Sequence, residues 1–310
     1  MSPVDVSAPA RPVEMPARVL VVPRRSHAAR RGLVLKPAFG LLVGVLLSLC
    51  TLFPGQIAPT SPTDQDLAAR LRPPVWMDGG SARHPLGTDS LGRDVCSRVI
   101  YGARTTFLVA LVSTLVGGAA GAALGLFSGY HGGLVEELVR KLVDMQLAFP
   151  YLLLAISVLA VAGRSVPVLV TVLALSSWPA FTRIVRGEVM SLRERQFIEG
   201  ARAIGCRDLR ILLAHLLPSV SASLCVVWSF DLARVVVLES SLSFLGLGVQ
   251  PPTPSWGMDL SDSRQFLQIA YWTVLFPGLA ISFVVLAANL VGDWVRDVLD
   301  PIVKRSRAGV

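Results

Sequence analysis

Residues 105–129 read TTFLVALVSTLVGGAAGAALGLFSG, a run that contains no charged side chain. A helix needs about 20 consecutive apolar residues to cross the hydrocarbon core of a membrane, so this stretch predicts a membrane-spanning helix. Gly117, Gly121, Gly125 and Gly129 recur every fourth residue, which places them on one face of that helix as a glycine stripe. Small residues at this spacing allow a second helix to approach closely.

The chain as a whole is rich in apolar residues. Of its 310 residues, 53% are hydrophobic and 16% are charged, and the mean hydropathy is +0.60, whereas about 45–50% of an ordinary soluble domain is apolar. The net charge of +8 would suit a nucleic-acid binder. The basic residues fall mainly between apolar segments, however, and base-reading and aromatic motifs are missing. We therefore predict a membrane protein with no nucleic-acid partner.

The reactive residue types form no recognisable site. The four cysteines show no CxxC spacing and the four histidines are dispersed, so neither a metal site nor a disulfide framework is predicted. The motifs HExxH and GxSxG are missing, which argues against a zinc protease or a serine hydrolase. The phosphate-binding motif GxxxxGK[ST] is missing too. We therefore expect no catalytic residues, no metal and no cofactor bound by this chain.

Five further stretches are long and apolar enough to cross a membrane, which predicts an all-α membrane protein with six transmembrane helices. They are residues 33–53, 145–163, 166–187, 219–240 and 272–292. A proline inside a helix leaves one carbonyl without its usual donor. Pro150, Pro179 and Pro277 should therefore kink their helices unless neighbouring groups satisfy those carbonyls.

Positive charges beside the spans predict the orientation of the chain. They cluster before the first helix, at Arg140 and Lys141, between Ser191 and Arg210, and at Lys304, Arg305 and Arg307. In a six-helix arrangement these four places lie on one side, so both termini should be cytoplasmic. We expect residues 1–32 to be a disordered tail, residues 54–102 an external loop and residues 294–310 a second tail. The external loop carries several arginines against this trend, although long loops follow it less strictly.

The predicted loop 191–218 carries a motif with defined spacing. It contains Glu199-Gly200-Ala201-Arg202-Ala203-Ile204-Gly205, followed by Leu217-Pro218. The need for positive charge beside a membrane accounts for the arginines of this loop, but not for the spacing of Glu199, Gly205 and Pro218. A short polar helix here could dock in a groove of a soluble partner, and Gly205 would permit a sharp reversal of the chain.

This motif resembles the signature cytoplasmic loop of ABC importer permeases. In that pattern a Glu-Ala-Ala triplet is followed by a glycine six residues after the glutamate and later by Leu-Pro, and Gly200 replaces the middle alanine here. The resemblance implies a coupling helix that passes motion of the ATPases to the membrane helices. The residues implied are Glu199, Gly200, Ala201, Ala203, Ile204, Gly205 and Arg207.

Further segments resemble the second permease subunit of the dipeptide, oligopeptide and nickel importer family. They are His84–Asp94, Ser97–Arg104, Glu239–Gly248, Pro251–Gly257 and Gly292–Pro301. The resemblance implies a type I importer core over residues 103–293 in the bacterial inner membrane, with dipeptides or short oligopeptides as cargo. The same architecture importing a nickel chelate or glutathione is the alternative.

The resemblance also implies an assembly. A homologous second permease would form a heterodimer with this chain, two cytoplasmic ATPase subunits would bind ATP and Mg²⁺, and an extracytoplasmic solute-binding protein would deliver the substrate. In such an assembly the glycine stripe serves either static helix packing or a sliding surface for alternating access, and the sequence leaves both open. The rival classes are a membrane enzyme, for which we find no catalytic constellation, and a membrane anchor.

Asp231 and Arg234 lie inside the fifth predicted span, three residues apart and therefore on one helix face. Each charge costs about 2.5–3.5 kcal/mol at the centre of a membrane helix, so the two should pair or face a wet cavity. One hypothesis is that they line the translocation pathway and meet the charged termini of a peptide. The other is an internal ion pair that satisfies only itself. The family pattern is largely apolar or small here.

Overall fold

The computed structural model describes the backbone of residues 27–299 and the side chains of residues 38–298. In this part of the chain the regular structure is helical, apart from isolated bridges between Ser81 and His84 and between Thr88 and Asp94, which confirms the predicted all-α class. The α-helices are α1 (His27–Leu52), α2 (Pro54–Ile57), α3 (Val95–His131), α4 (Gly133–Ala148), α5 (Tyr151–Ala162), α6 (Val166–Leu192), α7 (Gln196–Ala203), α8 (Asp208–Arg210), α9 (Leu217–Phe244), α10 (Trp256–Ser263) and α11 (Trp272–Leu299).

Four helices of the described chain are long and apolar enough to cross a membrane: α3, α6, the continuous run Asp208–Phe244 and α11. The bent pair of α4 and α5 makes a fifth if it crosses as one unit. The predicted span 33–53 falls in α1, and the part of α1 whose side chains are described, Ala38–Leu52, is apolar. Because α1 begins at His27, the disordered tail predicted for residues 1–32 is too long. The remainder of both predicted tails, 1–26 and 300–310, lies outside the described residues.

The predicted span 145–163 is not one helix. The chain bends by 87° between α4 and α5, at Phe149 and Pro150, which both have extended backbone angles. Proline disfavours helical geometry in the residue before it, which accounts for a break at this point. The 12 residues of α5 extend about 18 Å, well short of the roughly 30 Å of hydrocarbon. α5 alone therefore cannot cross a membrane.

The glycine stripe of α3 packs directly against α6. A Cβ atom on Gly125 would lie 2.9 Å from the carbonyl oxygen of Thr182, and one on Gly129 would lie 2.9 Å from that of Arg186. Both distances are shorter than normal van der Waals contact. The hydroxyl of Thr182 also donates to the carbonyl of Gly121 at 3.0 Å. The two backbones thus approach as closely as small-residue packing in membranes allows.

α3 and α6 run parallel. Their contacts advance together along both helices, from Gly117 beside Ala174 to Gly129 beside Arg186. Both helices therefore end on the same side of the bundle, where Arg193 donates to the carbonyl of Gly129 at 3.0 Å. The chain between α3 and α6 has to return to the other side, and only α4 and α5 are available to do so.

Contacts along α6 trace that return. Glu136, near the start of α4, pairs with Arg186 near the end of α6 at 2.6 Å. Tyr151, at the start of α5, donates its hydroxyl to the carbonyl of Val172 at 2.8 Å, which is earlier in α6. Taken together, α4 and α5 run antiparallel to α6. The bend thus divides one return passage into two helices.

The predicted loop 191–218 is shorter in the structure because helix resumes at Asp208. From there to Phe244 the chain is continuous, with a π-helical turn at Ile211–Leu216 between α8 and α9. Pro218 follows in the first turn of α9, where its missing N–H removes a helical hydrogen bond that the wider π turn accommodates. The predicted span 219–240 is therefore the middle of a longer helix.

The end of the bundle where α3 begins is closed by the segment that precedes α3 and by α10 and the start of α11, which follow α9. Asp94 caps the first turn of α3 with its side chain. Trp256 of α10 donates its indole N–H to the carbonyl of Val99 at 2.9 Å, and Trp272 of α11 donates to the carbonyl of Thr88 at 3.1 Å. We call this side the α10 end and the opposite side the α7 end.

A cluster of ion pairs at the α10 end explains two arginines of the predicted external loop. Arg98 is buried and donates to Asp259 of α10, with Nε at 2.8 Å from Oδ1. Arg93 pairs with Asp89 at 2.6 Å and with Asp262 at 3.2 Å. These two arginines are therefore balanced by carboxylates and add little net positive charge to their side of the membrane.

The packing of the glycine stripe predicts the effect of adding one methyl group. Gly121→Ala places a Cβ against the backbone of Trp178, and overpacking of this kind costs about 1–3 kcal/mol. We expect a lower thermal unfolding midpoint of the detergent-solubilised protein and less of it in membranes.

Gly187→Ala in α6 is the matched control, because its Cβ would meet nothing within 4 Å. Alanine is the better helix former by about 1 kcal/mol, so this variant should be as stable as the parent or more so. Equal midpoints for the two variants would contradict the close α3–α6 contact.

Candidate functional site

The segment between α6 and α8 carries the motif singled out in the sequence. Its helix α7 has one apolar face, formed by Ile198 and Ala201, which are 0% and 6% exposed. Both belong to an apolar cluster that includes Val189 of α6 and Ile211 of the π-helical turn. α7 is therefore fixed to the ends of the membrane helices by its own side chains.

The opposite face of α7 is free in the described chain. Glu199, Gly200, Ala203 and Gly205 are exposed, and Ile204 is 82% exposed. A large apolar side chain thus lies beside the face of α7 that is open to a partner. Of the residues predicted to form the coupling site, only Ala201 lies on the buried face. Ala201 therefore packs α7 against the membrane helices and cannot contact a partner.

Gly205 makes the reversal that was predicted for it. Its φ angle is +78°, in the left-handed region that favours glycine. The N–H of Gly205 donates to the carbonyl of Arg202 at 2.9 Å, and the N–H of Cys206 donates to the carbonyl of Ala201 at 3.0 Å. This pair of bonds is the Schellman motif that ends many helices. No atom lies within 4 Å of a Cβ built on Gly205, so its outer side is open.

A cavity of about 670 Å³ opens beside this turn. Its lining residues are Ile204, Gly205, Cys206, Arg207, Arg210 and His215. The two arginines are exposed, and both carry a full positive charge at any physiological pH. The cavity is thus a basic recess next to the exposed face of α7.

Three residues outside the predicted coupling set connect α7 with the membrane helices. The guanidinium carbon of Arg202 lies 4.8 Å from the ring centroid of Tyr130, the second-last residue of α3. The hydroxyl of Tyr130 in turn donates to Asp208, the first residue of α8, at 2.6 Å. A cation–π contact and a charge-assisted hydrogen bond thus join three helices. Residues so far apart in the chain share no spacing that could have identified them.

Asp231 and Arg234 form the pair that their spacing predicted. The Nε and Nη2 atoms of Arg234 lie 2.9 Å and 2.6 Å from the same oxygen of Asp231. Nη2 also donates to the carbonyl of Ser176 in α6, at 3.0 Å. The two side chains differ in accessibility: that of Asp231 is 3% exposed and that of Arg234 is 42% exposed. Only Arg234 can meet a ligand directly.

The two candidate sites are separate. Asp208 and Asp231 are 23 positions apart on one continuous helix, which corresponds to about 35 Å at 1.5 Å per residue. The motif around α7 therefore lies at one end of the bundle, and the charged pair lies well inside the run Asp208–Phe244. Any link between them has to pass through that helix and its contacts with α3 and α6.

Comparison with known proteins gives a consistent result. Residues 121–305 match the family described as "Binding-protein-dependent transport system inner membrane component". The chain is 40% identical over 267 residues to the di/tripeptide transport system permease protein DppC of Pseudomonas aeruginosa, covering 86% of this chain and 88% of the relative. It is 38% identical over 266 residues to the dipeptide transport system permease protein DppC of Haemophilus influenzae, covering 86% and 90%.

A glutathione permease is similar over a shorter length. The glutathione transport system permease protein GsiD of Pectobacterium atrosepticum is 43% identical over 227 residues, covering 73% of this chain and 75% of the relative. The matched family region contains α7, the turn at Gly205 and the Asp231–Arg234 pair. Members of that family are membrane permease subunits and not enzymes. The chain is a multi-pass inner-membrane protein that belongs to the family of binding-protein-dependent transport system inner membrane components.

Proposed function

We propose that this chain is the permease subunit of an ATP-driven importer of dipeptides or short oligopeptides. The observation that carries the proposal is 40% identity to a di/tripeptide permease over most of both chains. The chain would pair with a homologous second permease and receive substrate from an extracytoplasmic solute-binding protein. Two ATPase subunits would bind ATP and Mg²⁺ on the cytoplasmic side. The α7 end would be cytoplasmic, as would both termini.

The two faces of α7 support a coupling role. Ile198 and Ala201 pack on the membrane helices, while Glu199, Gly200 and Ile204 remain exposed for a soluble partner. A partner that moves α7 would also pull on α3 and α8, through the contacts of Arg202 with Tyr130 and of Tyr130 with Asp208. Motion of the ATPases would reach the substrate pathway by this route, consistent with rigid-body alternating access.

The open side of Gly205 predicts that a large acidic side chain there uncouples the complex. We expect Gly205→Glu to insert and assemble with the second permease, but to lower substrate-stimulated ATP hydrolysis in liposomes at least about tenfold, the loss of an interface contact worth about 1.4 kcal/mol. The ATPases should also be lost during purification.

Gly205→Asn separates the turn from the docking surface. Asparagine tolerates the left-handed conformation better than most residues, so this variant should keep the turn and most of the stimulated ATP hydrolysis. An undiminished stimulated rate in Gly205→Glu would remove this position from the coupling mechanism.

We further propose that Arg234 lines the translocation pathway and binds the carboxylate of a peptide. A guanidinium group has five N–H donors. Arg234 uses three of them, its Nε–H and both Nη2–H groups, on Asp231 and Ser176, so the two on Nη1 remain for a substrate. Its exposure of 42% supports this role. Asp231 then has an indirect role: its own side chain is buried, and it holds the guanidinium of Arg234 in place.

Exchange of the two charges tests the pathway hypothesis. Asp231→Arg combined with Arg234→Asp retains a pair but presents a carboxylate in place of the guanidinium, so peptide uptake should fall about tenfold or more through loss of a charged contact and repulsion. Unchanged uptake and unchanged substrate preference would show that Asp231 and Arg234 form an internal ion pair that does not contact the substrate. Because the exchange could prevent assembly, Arg234→Met is measured beside it, and co-purification with the second permease is checked for both.

Glutathione is a second candidate cargo, supported by the 43% identity to a glutathione permease. We expect unlabelled dipeptides and tripeptides to compete with labelled dipeptide for uptake by the assembled complex, and glutathione or a nickel chelate to compete only weakly at equal concentration. Strong competition by glutathione alone would reassign the cargo. Peptide-coupled ATP hydrolysis by a complex that lacks this chain would refute the permease role.

A further inference from the structure

Pro179 creates a gap in the hydrogen bonding of α6. Its nitrogen carries no hydrogen, so the carbonyl of Leu175, four residues earlier, has no helical donor. α6 is one of the four helices suited to cross a membrane, and water cannot satisfy such a carbonyl within hydrocarbon. An unpartnered carbonyl there is therefore unfavourable.

Gln146 of α4 fills that gap. Its Nε2 donates to the carbonyl of Leu175, and its Oε1 accepts a hydrogen bond from the indole N–H of Trp178 at 2.7 Å. The carbonyl requires a donor and the indole requires an acceptor, so a primary amide is suited to satisfy both at once. This contact holds the last turn of α4 against α6, just before the bend.

Two further side chains reach the same part of α6. Tyr151, just after the bend, donates to the carbonyl of Val172 at 2.8 Å, and Arg234 of α9 donates to that of Ser176 at 3.0 Å. Three helices thus each send one donor to a short segment of α6 that precedes Pro179. We call Gln146, Tyr151 and Arg234 the Pro179 clamp.

We propose that Gln146 is a positioning residue for transport. By satisfying the carbonyl that Pro179 frees, it fixes the bend between α4 and α5 on α6. It also fixes the turn of α6 that presents Ser176 to Arg234. The transport consequence rests on the proposed function, whereas the structural consequence does not.

A double-mutant cycle tests this role. Gln146→Met has similar length and no donor, and we expect it to lower substrate-stimulated ATP hydrolysis about tenfold, which corresponds to the loss of one hydrogen bond worth about 1.4 kcal/mol. Pro179→Ala restores an N–H within α6, so the carbonyl of Leu175 no longer needs Gln146. Relative to Pro179→Ala alone, the double variant should lose only about twofold, through the unpartnered indole of Trp178.

Pro277→Ala is the matched control, since Pro277 is the proline inside α11. In this background Gln146→Met should keep its full, roughly tenfold defect, because restoring an N–H in α11 does nothing for α6. Equal losses in the parent and in the Pro179→Ala background would overturn the proposal. Relief by Pro277→Ala as well would overturn it too, since the rescue would then be nonspecific.

The thermal unfolding midpoint of the assembled complex gives a second readout that does not depend on cargo. The same pattern is expected: a lowered midpoint for Gln146→Met, and a smaller decrease when Pro179→Ala is present. Independent, additive decreases would refute the clamp even if a variant is inactive. A complex that shows this coupling and yet transports no peptide would refute the proposed cargo while the clamp stands.

Discussion

The close parallel contact between α3 and α6 determines where the other helices lie. Four glycines bring the two backbones together at positions that advance in the same order along both helices, so α3 and α6 run in the same direction. Because both helices end on the same side, α4 and α5 have to return the chain, and α7 has to start beside the end of α3. The positions of both candidate sites follow from this arrangement: one at the shared helix ends and one where α9 meets α6.

The hydrocarbon environment explains why some polar side chains of this bundle bind backbone groups of a neighbouring helix. Water cannot satisfy backbone groups there, so the gap at Pro179 requires a side chain from a neighbouring helix. Gln146 meets that need. Arg234 differs because it is partly accessible while its partner Asp231 is buried. A self-contained pair would bury both groups, so the asymmetry favours a role in binding.

Hydropathy alone predicted the all-α membrane class and most of the spans, because the length of an apolar run can be read directly along the sequence. The i, i+3 spacing of Asp231 and Arg234 and the turn at Gly205 were also predictable, since both are local. The long-range contacts were not. Nothing in the sequence indicates that the glycine stripe meets α6, that Tyr130 joins Arg202 to Asp208, or that Gln146 supplies the donor that Pro179 makes necessary. The span predicted at 145–163 is divided by the 87° bend. The kink predicted for Pro150 lies at this point, but hydropathy records no direction, so the size of the bend was not predictable. Ala201 was assigned to the docking surface because its motif does not distinguish the two faces of a short helix.

The arginine at the end of α6 has a consequence for helix electrostatics. Peptide dipoles leave a partial negative charge at the carboxyl end of each helix, and parallel helices bring two such ends together. Arg193 lies in this place and donates to the carbonyl of Gly129, so its charge offsets the field of both ends. The rule that positive residues stay in the cytoplasm is usually attributed to insertion. In this fold Arg193 also relieves repulsion between two aligned macrodipoles, so one positive side chain contributes both to the charge beside the membrane and to the pairing of α3 with α6.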